Sequence, residues 1–447
     1  MFLDKELKNA LIKVAVPVAL QNLITSLLNM IDTIMIGSLG DRAVAAVGLA
    51  NQWFFIFTLV SFGITSGSTI YVAQFFGKKD YDSLQRPVAY ALFLCTVVAV
   101  IFASLAIFLP QFVMGLFTND AETILLGVKY LRMAGITYIL MAISLPLATA
   151  MRSTEVALLP LIITGVALLI NTFLNFCLIN GNLGFPALGV EGAAIATTVA
   201  RIFDMGIILF VVFRGYTKIK PRLHHFLPQK GFIGQYVKTI LPVVGNETMW
   251  GLGISMYNAM FGRMDNAIVA ANQIARNLEQ ITTALCMGVA SAGAVIIGKK
   301  IGERNQALAF SYSKKFAIIS SAMGLILGII MVVLSPLYLG FYSDISPDAK
   351  LYATQLITVF GIFMIFKMYN YVCIVGILRS GGDTTFCFIL DTCTVWLIGV
   401  LSVYLSAFVF HAPFWVVALC LVSEEIVKSI GGLWRFLSKK WLNDLVN

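Results

Sequence analysis

Long, almost unbroken apolar runs recur along the whole chain, with short polar stretches between them. The runs cover approximately 14–37, 52–75, 88–110, 127–149, 158–180, 191–213, 236–261, 277–298, 316–339, 352–377, 385–409 and 412–434. Each can form one bilayer-spanning helix, which needs roughly 20 apolar residues. A membrane barrel would instead alternate over strands of about 10 residues. A lone signal peptide does not explain runs that continue to the end of the chain. The pattern predicts an all-α integral membrane protein with twelve transmembrane helices and no separate extramembrane domain. The first, second, seventh and eighth runs also carry Gln, Asn, Ser, Thr and Gly. That mixture suits helices facing a cavity or one another.

The positions of Lys and Arg orient these segments. With both termini in the cytoplasm, 23 of the 31 Lys and Arg fall on inside segments, 6 outside and 2 (Arg201 and Lys367) within spans. This is a strong positive-inside bias, and an odd number of spans would destroy it. The net charge of +9 therefore reads as cytoplasmic loops rather than a nucleic-acid surface. Residues 214–235, with a dense basic run and His224–His225, read as a solvated cytoplasmic linker. Only 12% of residues are charged while 59% are hydrophobic, which excludes a cytosolic enzyme. The seven cysteines lie in or beside apolar runs without a CxxC pair, and read as reduced packing residues.

A shift of 225 aligns 11–80 with 236–305 without a gap, and 15 of 70 positions are identical where about 5 are expected by chance. Pro17 meets Pro242, Gly37 meets Gly262, and Gly63 meets Gly288. Farther on, MRS at 151–153 answers LRS at 378–380. The expected organisation is an N-lobe at 1–213, the linker at 214–235 and a C-lobe at 236–447, each lobe a six-helix bundle. Six spans is an even number, so the repeats are parallel. Two such bundles suit alternating access around a central cleft.

Ionisable residues inside spans are costly and mark functional sites or ion pairs. Asp32 lies deep in the first run and is a candidate for exchanging H⁺ or ligating Na⁺. Glu247 lies about one turn into the seventh run. Asn22 is the repeat mate of Glu247, and Tyr257 that of Asp32. Arg201 and Asp204 are three apart and are expected to pair on one face. Lys367 and Asp391 are expected to neutralise each other across the tenth and eleventh helices. Glu424–Glu425 approach Lys428 or face the cavity. Trp53, Phe54, Phe55, Phe57, Met249, Trp250, Met256, Tyr257, Met260 and Phe261 offer a greasy lining suited to amphipathic cations, or ordinary packing.

These residues resemble the multidrug and toxic compound extrusion (MATE) transporters. The likeness rests on Pro17, Asn22 and Asp32 to Gly37 with Gly40; on Gly63, Gly67, Ala73, Gln74 and Gly77; on LNFCLINGNLGFPALGVEGAAIATTVAR; and on GILRSGGDTTF, Gly376 to Phe386. It covers roughly residues 10 to 440. The resemblance implies a V-shaped pair of six-helix lobes acting as an antiporter. Organic cations and diverse drugs would leave in exchange for inward H⁺ or Na⁺. It matches Asp32 to the acid of the first lobe, and Glu247 and Asp383 to acids proposed for cation binding in the second. Asn171 and Asn175 stand where some members place a second acid. The ion-coupling and substrate-binding candidates are thus Asp32, Glu247, Asp383, Asn22, Asn175 and Tyr257, with Asp32 and Glu247 as metal ligands if the ion is Na⁺. No Walker A loop occurs, which argues against an ATP-driven pump, and no DDxxD, which argues against a membrane enzyme such as a prenyl transferase; no cofactor or nucleic acid is expected. Small amphipathic or cationic substrates and membrane lipids are the expected partners of a monomer in a bacterial or archaeal cytoplasmic membrane. The competing reading is a flippase or exporter of a lipid-type or specific endogenous metabolite.

Overall fold

A computed structural model describes residues 4–342 and 346–447. Among them every regular element is helical. The long bodies are α1 (Lys5–Gly37), α2 (Asp41–Lys78), α3 (Gln85–Phe108), α4 (Ala121–Ser153), α5 (Leu158–Asn180) and α6 (Val190–Arg214). They continue with α7 (Phe232–Met264), α8 (Asn266–Gly302), α9 (Gln306–Gly340), α10 (Pro347–Gly381), α11 (Thr384–Val409) and α12 (Phe414–Ser438). Ten of these are long and apolar enough to cross a membrane, all but α7 and α12. Polar and charged residues such as Asn246, Glu247, Glu424, Glu425 and Lys428 interrupt those two.

Several helices outrun the apolar runs because capping fixes their ends beyond the greasy stretch. Asp120 accepts from Thr123 N at 3.0 Å, Asp265 from Ala267 N at 2.9 Å and Asn305 from Leu308 N at 3.1 Å. Each satisfies one orphan amide of a first turn. π-helical turns widen α1 at Leu11–Ala15, α10 at Val372–Leu378, and α11 at Thr394–Val400 and Leu405–Val409.

The chain condenses into two compact units. One is Leu20–Ile240; the other joins Met1–Ala19 to Leu241–Asn447. The unit limits thus fall inside α1 and α7, the paired first helices of the two repeats. In the first unit a Cβ on Gly192 would meet the Leu178 carbonyl at 2.5 Å, so α5 and α6 approach at backbone distance. In the second, Gly324 and Gly328 of α9 lie against the α10 backbone at Met364 and Gly361.

Residues 214–231 are not freely solvated. Gln85 donates to the Lys218 carbonyl at 2.8 Å and accepts from Lys220 N at 2.7 Å, while Tyr90 donates to the Leu227 carbonyl. His225 is buried, whereas His224 is exposed. The strap forms because α3 offers polar side chains that satisfy its backbone.

Candidate functional site

In the unit of α2–α6, one polar cluster gathers around Asp32 on α1. Asn171 and Asn175 are one turn apart on α5, so both side chains leave the same face. Asn175 donates to Asp32 Oδ1 at 2.9 Å. The Asn171 amide, oriented by its hydrogen-bond network, donates to Asp32 Oδ2 at 2.8 Å and accepts from Thr197 Oγ1 on α6 at 3.2 Å. Both asparagines are buried and Asp32 is half-buried. Each carboxylate oxygen of Asp32 thus accepts one amide hydrogen bond. Asn22 is half-buried ten residues earlier, and it forms no hydrogen bond to this cluster.

A second chain lies farther along the same helices. Gln21 donates to Thr164 Oγ1 at 3.0 Å, and Thr164 donates to Asp204 Oδ1 at 3.2 Å. This corrects the expected Arg201–Asp204 pair. Asp204 is buried toward α5, and Arg152 lies within its electrostatic reach. Arg201 is only half-buried and, among the described residues, joins no ion pair.

The unit of α8–α12 carries more charge. Arg379 Nη1 lies 2.7 Å from Glu247 Oε1. Asn246 donates to Asp391 Oδ2 at 2.8 Å, and Lys428 donates to Asp391 Oδ1 at 2.6 Å. Tyr257 donates to Glu424 Oε2 at 3.0 Å. The expected Lys367–Asp391 pair does not form. Lys367 instead pairs with Glu279 on α8, and Lys428 on α12 takes Asp391. The rotation of α10 turns Lys367 away from α11. Lys428 also stands 3.8 Å from Glu424, and Asn370 binds Glu425 at 2.7 Å.

The two chains are related by the internal repeat. Gln21 and Asn246 differ by 225, Thr164 and Asp391 by 227. Asp204 and Lys428 differ by 224, as do Val190 and Phe414, the first residues of α6 and α12. The same three-helix path is therefore Gln–Thr–Asp in one unit and Asn–Asp–Lys in the other.

Asp383 stands apart from these clusters. Arg435 grips it with two nitrogens, at 2.5 and 3.1 Å. Beside it, fully buried Trp441 packs on Gly381, and Asn443 N donates to the Gly381 carbonyl at 3.0 Å. The paired glycines make room for the C-terminal tail. Of the expected aromatic lining, Phe57, Tyr257, Met260 and Phe261 are buried in packing. Phe57 lies edge-on to Tyr138.

Asp82, His224 and His225 bring three potential metal-ligating atoms within 4.8 Å of one another. His225 Nδ1 accepts from Arg222 N at 2.9 Å, so the ring proton sits on Nε2, facing Asp82 at 3.3 Å. That tautomer leaves His225 without a free lone pair for a metal.

Sequence reasoning missed three participants. Glu279 lies near the start of an apolar run and was not singled out as a membrane charge. Arg379 stands out in the MRS/LRS repeat and in GILRSGGDTTF, neither of which names a partner. Asn246 precedes Glu247, and its shift of 225 from Gln21 is the one signal that could have found it.

A family model described as MatE matches residues 17–177 and 245–430. The chain is 24% identical over 441 residues to a probable multidrug resistance protein NorM of Thermotoga maritima, covering 98% of this chain and 93% of the relative. An uncharacterized transporter, YisQ of Bacillus subtilis, is 24% identical over 92% of this chain and 90% of its own length. Among solved structures, a MOP superfamily transporter from Pyrococcus furiosus, reported with a binding pocket of reversed polarity, superposes with a TM-score of 0.87. It is 18% identical over 97% of this chain and 96% of its own. An outward-facing multidrug resistance MATE family transporter gives a TM-score of 0.84 at 18% identity, covering 96% of each chain.

Proposed function

The chain belongs to the MatE family of multidrug and toxic compound extrusion transporters, and we propose on that premise that it is a secondary active antiporter. It exports organic cations and structurally diverse drugs in exchange for inward H⁺ or Na⁺. Twelve spans in two six-helix lobes provide alternating access, the protein acts as a monomer, and both termini lie on the cytoplasmic side of a bacterial or archaeal membrane.

The observation that carries the ion-coupled reading is Asp32 held by two amides. An ionised carboxylate accepts from both Asn171 and Asn175. Once protonated, one oxygen bears a hydrogen and no longer accepts as well, so an amide must turn. A sodium ion would have the same effect by drawing the carboxylate and the amide oxygens toward itself. Either event alters how α1 packs on α5 and so loosens bound substrate. One charge crossing 100 mV supplies about 2.3 kcal/mol, enough for a roughly 50-fold gradient of a neutral drug.

The basic residues of the other unit support a cationic rather than an anionic lipid-linked substrate. Arg379, Lys428 and Lys367 each lie against a carboxylate. None is left to receive a pyrophosphate.

The test is efflux of cationic dyes from proteoliposomes under a pH gradient and, separately, a Na⁺ gradient, with Asp32→Asn alongside. Efflux by the wild type that is lost in the folded variant supports the reading and identifies the ion. No efflux of several chemically different cations under either gradient overturns it in favour of a lipid-type or endogenous substrate.

A further inference from the structure

Tyr257 stands at the repeat position of Asp32, so one repeat carries a carboxylate where the other carries a phenol. The phenol is not a bare replacement. Its hydroxyl donates to Glu424 at 3.0 Å, and both side chains are buried. An acid reaching over from α12 thus meets the α7 residue that stands at the repeat position of Asp32. Room for the pair comes from Gly399 on α11, where a Cβ would run into both the Tyr257 hydroxyl and the Glu424 carboxylate. Gly399 lies in the π-helical turn Thr394–Val400, a distortion that often marks functional positions.

The charges at this point do not balance. Among the described residues, the one cation within ion-pairing distance of Glu424 is Lys428, one turn away on its own helix. Lys428 lies closer to Asp391, at 2.6 Å against 3.8 Å. The neighbouring Glu425 is bound by the neutral amide of Asn370 on α10. The cation of α10, Lys367, is taken by Glu279. From α8, Arg276 is within electrostatic reach of Tyr257. Glu424 and Asp391 therefore share the Lys428 ammonium, Glu425 lies within its electrostatic reach, and Arg379, which reaches Asp391, is already paired with Glu247. The groups bonded or paired to Glu424 are an O–H and an N–H donor. They do not form the array of oxygen ligands that a hard cation such as Na⁺ takes, which leaves a proton as the ion this carboxylate can exchange.

We propose that Glu424 is a second proton-exchanging carboxylate of the transport cycle, the counterpart of Asp32 in the unit of α8–α12, with Tyr257 and Lys428 as its positioning residues. When protonated, Glu424 is neutral and Lys428 stays with Asp391. When the Glu424 O–H bond breaks and the proton passes to water, the new carboxylate keeps the Tyr257 hydrogen bond and draws Lys428 away from Asp391. The exchange thus alters the contact between α11 and α12. This rests on the ion-coupled reading above but concerns a different residue and a different unit.

The test is infrared difference spectroscopy of the full-length protein in liposomes, stepping pH with and without Na⁺ and reading the C=O stretch of protonated carboxyl groups. The expected result is a titrating band lost in Glu424→Gln, kept in Asp32→Asn, and displaced in frequency and midpoint in Tyr257→Phe. An unchanged set of bands in Glu424→Gln overturns the proposal. So does a Glu424-dependent signal that appears only with Na⁺. If Glu424→Gln does not fold, Tyr257→Phe decides alone: a displaced band supports the proposal, and an unmoved spectrum overturns it. Dye efflux run in parallel separates the two readings. Efflux that fails while the Glu424 band titrates counts against the export function only. Efflux that proceeds with no such band counts against Glu424 only.

Discussion

Arg379 and Glu247 form a buried ion pair in the unit of α8–α12, with side-chain exposures of 3% and 12% and a separation of 2.7 Å. Removing one partner strands the other in a low-dielectric interior, at a cost of about 3–5 kcal/mol. Glu247→Gln should therefore lower the thermal unfolding midpoint in detergent markedly. Glu247→Gln combined with Arg379→Met should recover most of it. A single variant as stable as the wild type would show that the pair is not a structural bond.

Trp441 is fully buried against Gly381, and its indole donates to the Phe436 carbonyl at 3.1 Å. Trp441→Ala should cost about 3–5 kcal/mol. Gly381→Ala should destabilise through the same contact, because its new methyl would meet the tail. The pair measured together should cost less than the sum of the single changes. Strict additivity would mean that the two positions act independently.

Gly328 faces the Gly361 carbonyl where α9 crosses α10. Gly328→Ala forces the backbones apart and should cost about 1–3 kcal/mol. Exposed Gly340 has no neighbour within 4 Å of an added Cβ, so Gly340→Ala should leave stability nearly unchanged. Thermal melts of the two variants side by side check the contrast.

Asp4 caps the first helix by accepting from Leu7 N at 2.9 Å, and it pairs with Lys315 at 3.0 Å. Its burial works against ionisation, but the Leu7 bond and the Lys315 charge outweigh it and hold the carboxyl below its ordinary 3.8. A depressed acid contributes stability above its unfolded value and loses it as pH falls through the folded one. Anchoring of residues 5–10 should thus persist at neutral pH and fade only as pH drops below about 3.8. Hydrogen exchange of those amides reads it. Asp4→Asn should keep the cap but lose the Lys315 pair, while Asp4→Ala should also lose the cap, worth about 1 kcal/mol.

The transmembrane segments were legible because twenty apolar residues in a row have few other uses. Their ends were less so. Residues 41–51 extend α2 well before the apolar run begins, since helix continues wherever capping and packing allow. The Asp32 cluster was partly legible, as an acid in one run and two amides one turn apart in another. Ion-pair partners were not. Lys367 and Asp391 look like neighbours in the chain, but helix rotation sends one to Glu279 and the other to Lys428. Sequence spacing fixes partners within a helix, and rotation about the helix axis decides them between helices.

The allocation of Met1–Ala19 to the same unit as Leu241–Asn447 has a consequence for biosynthesis. Asp4 is translated 311 residues before its partner Lys315. At about 5–20 residues per second, the ribosome needs roughly 15–60 s to supply it. During that interval α1 must rest in the translocon or the bilayer without its final neighbours. A split gene that begins at residue 241 would lack that helix altogether, and should yield a soundly folded product only when the first fragment is expressed with it.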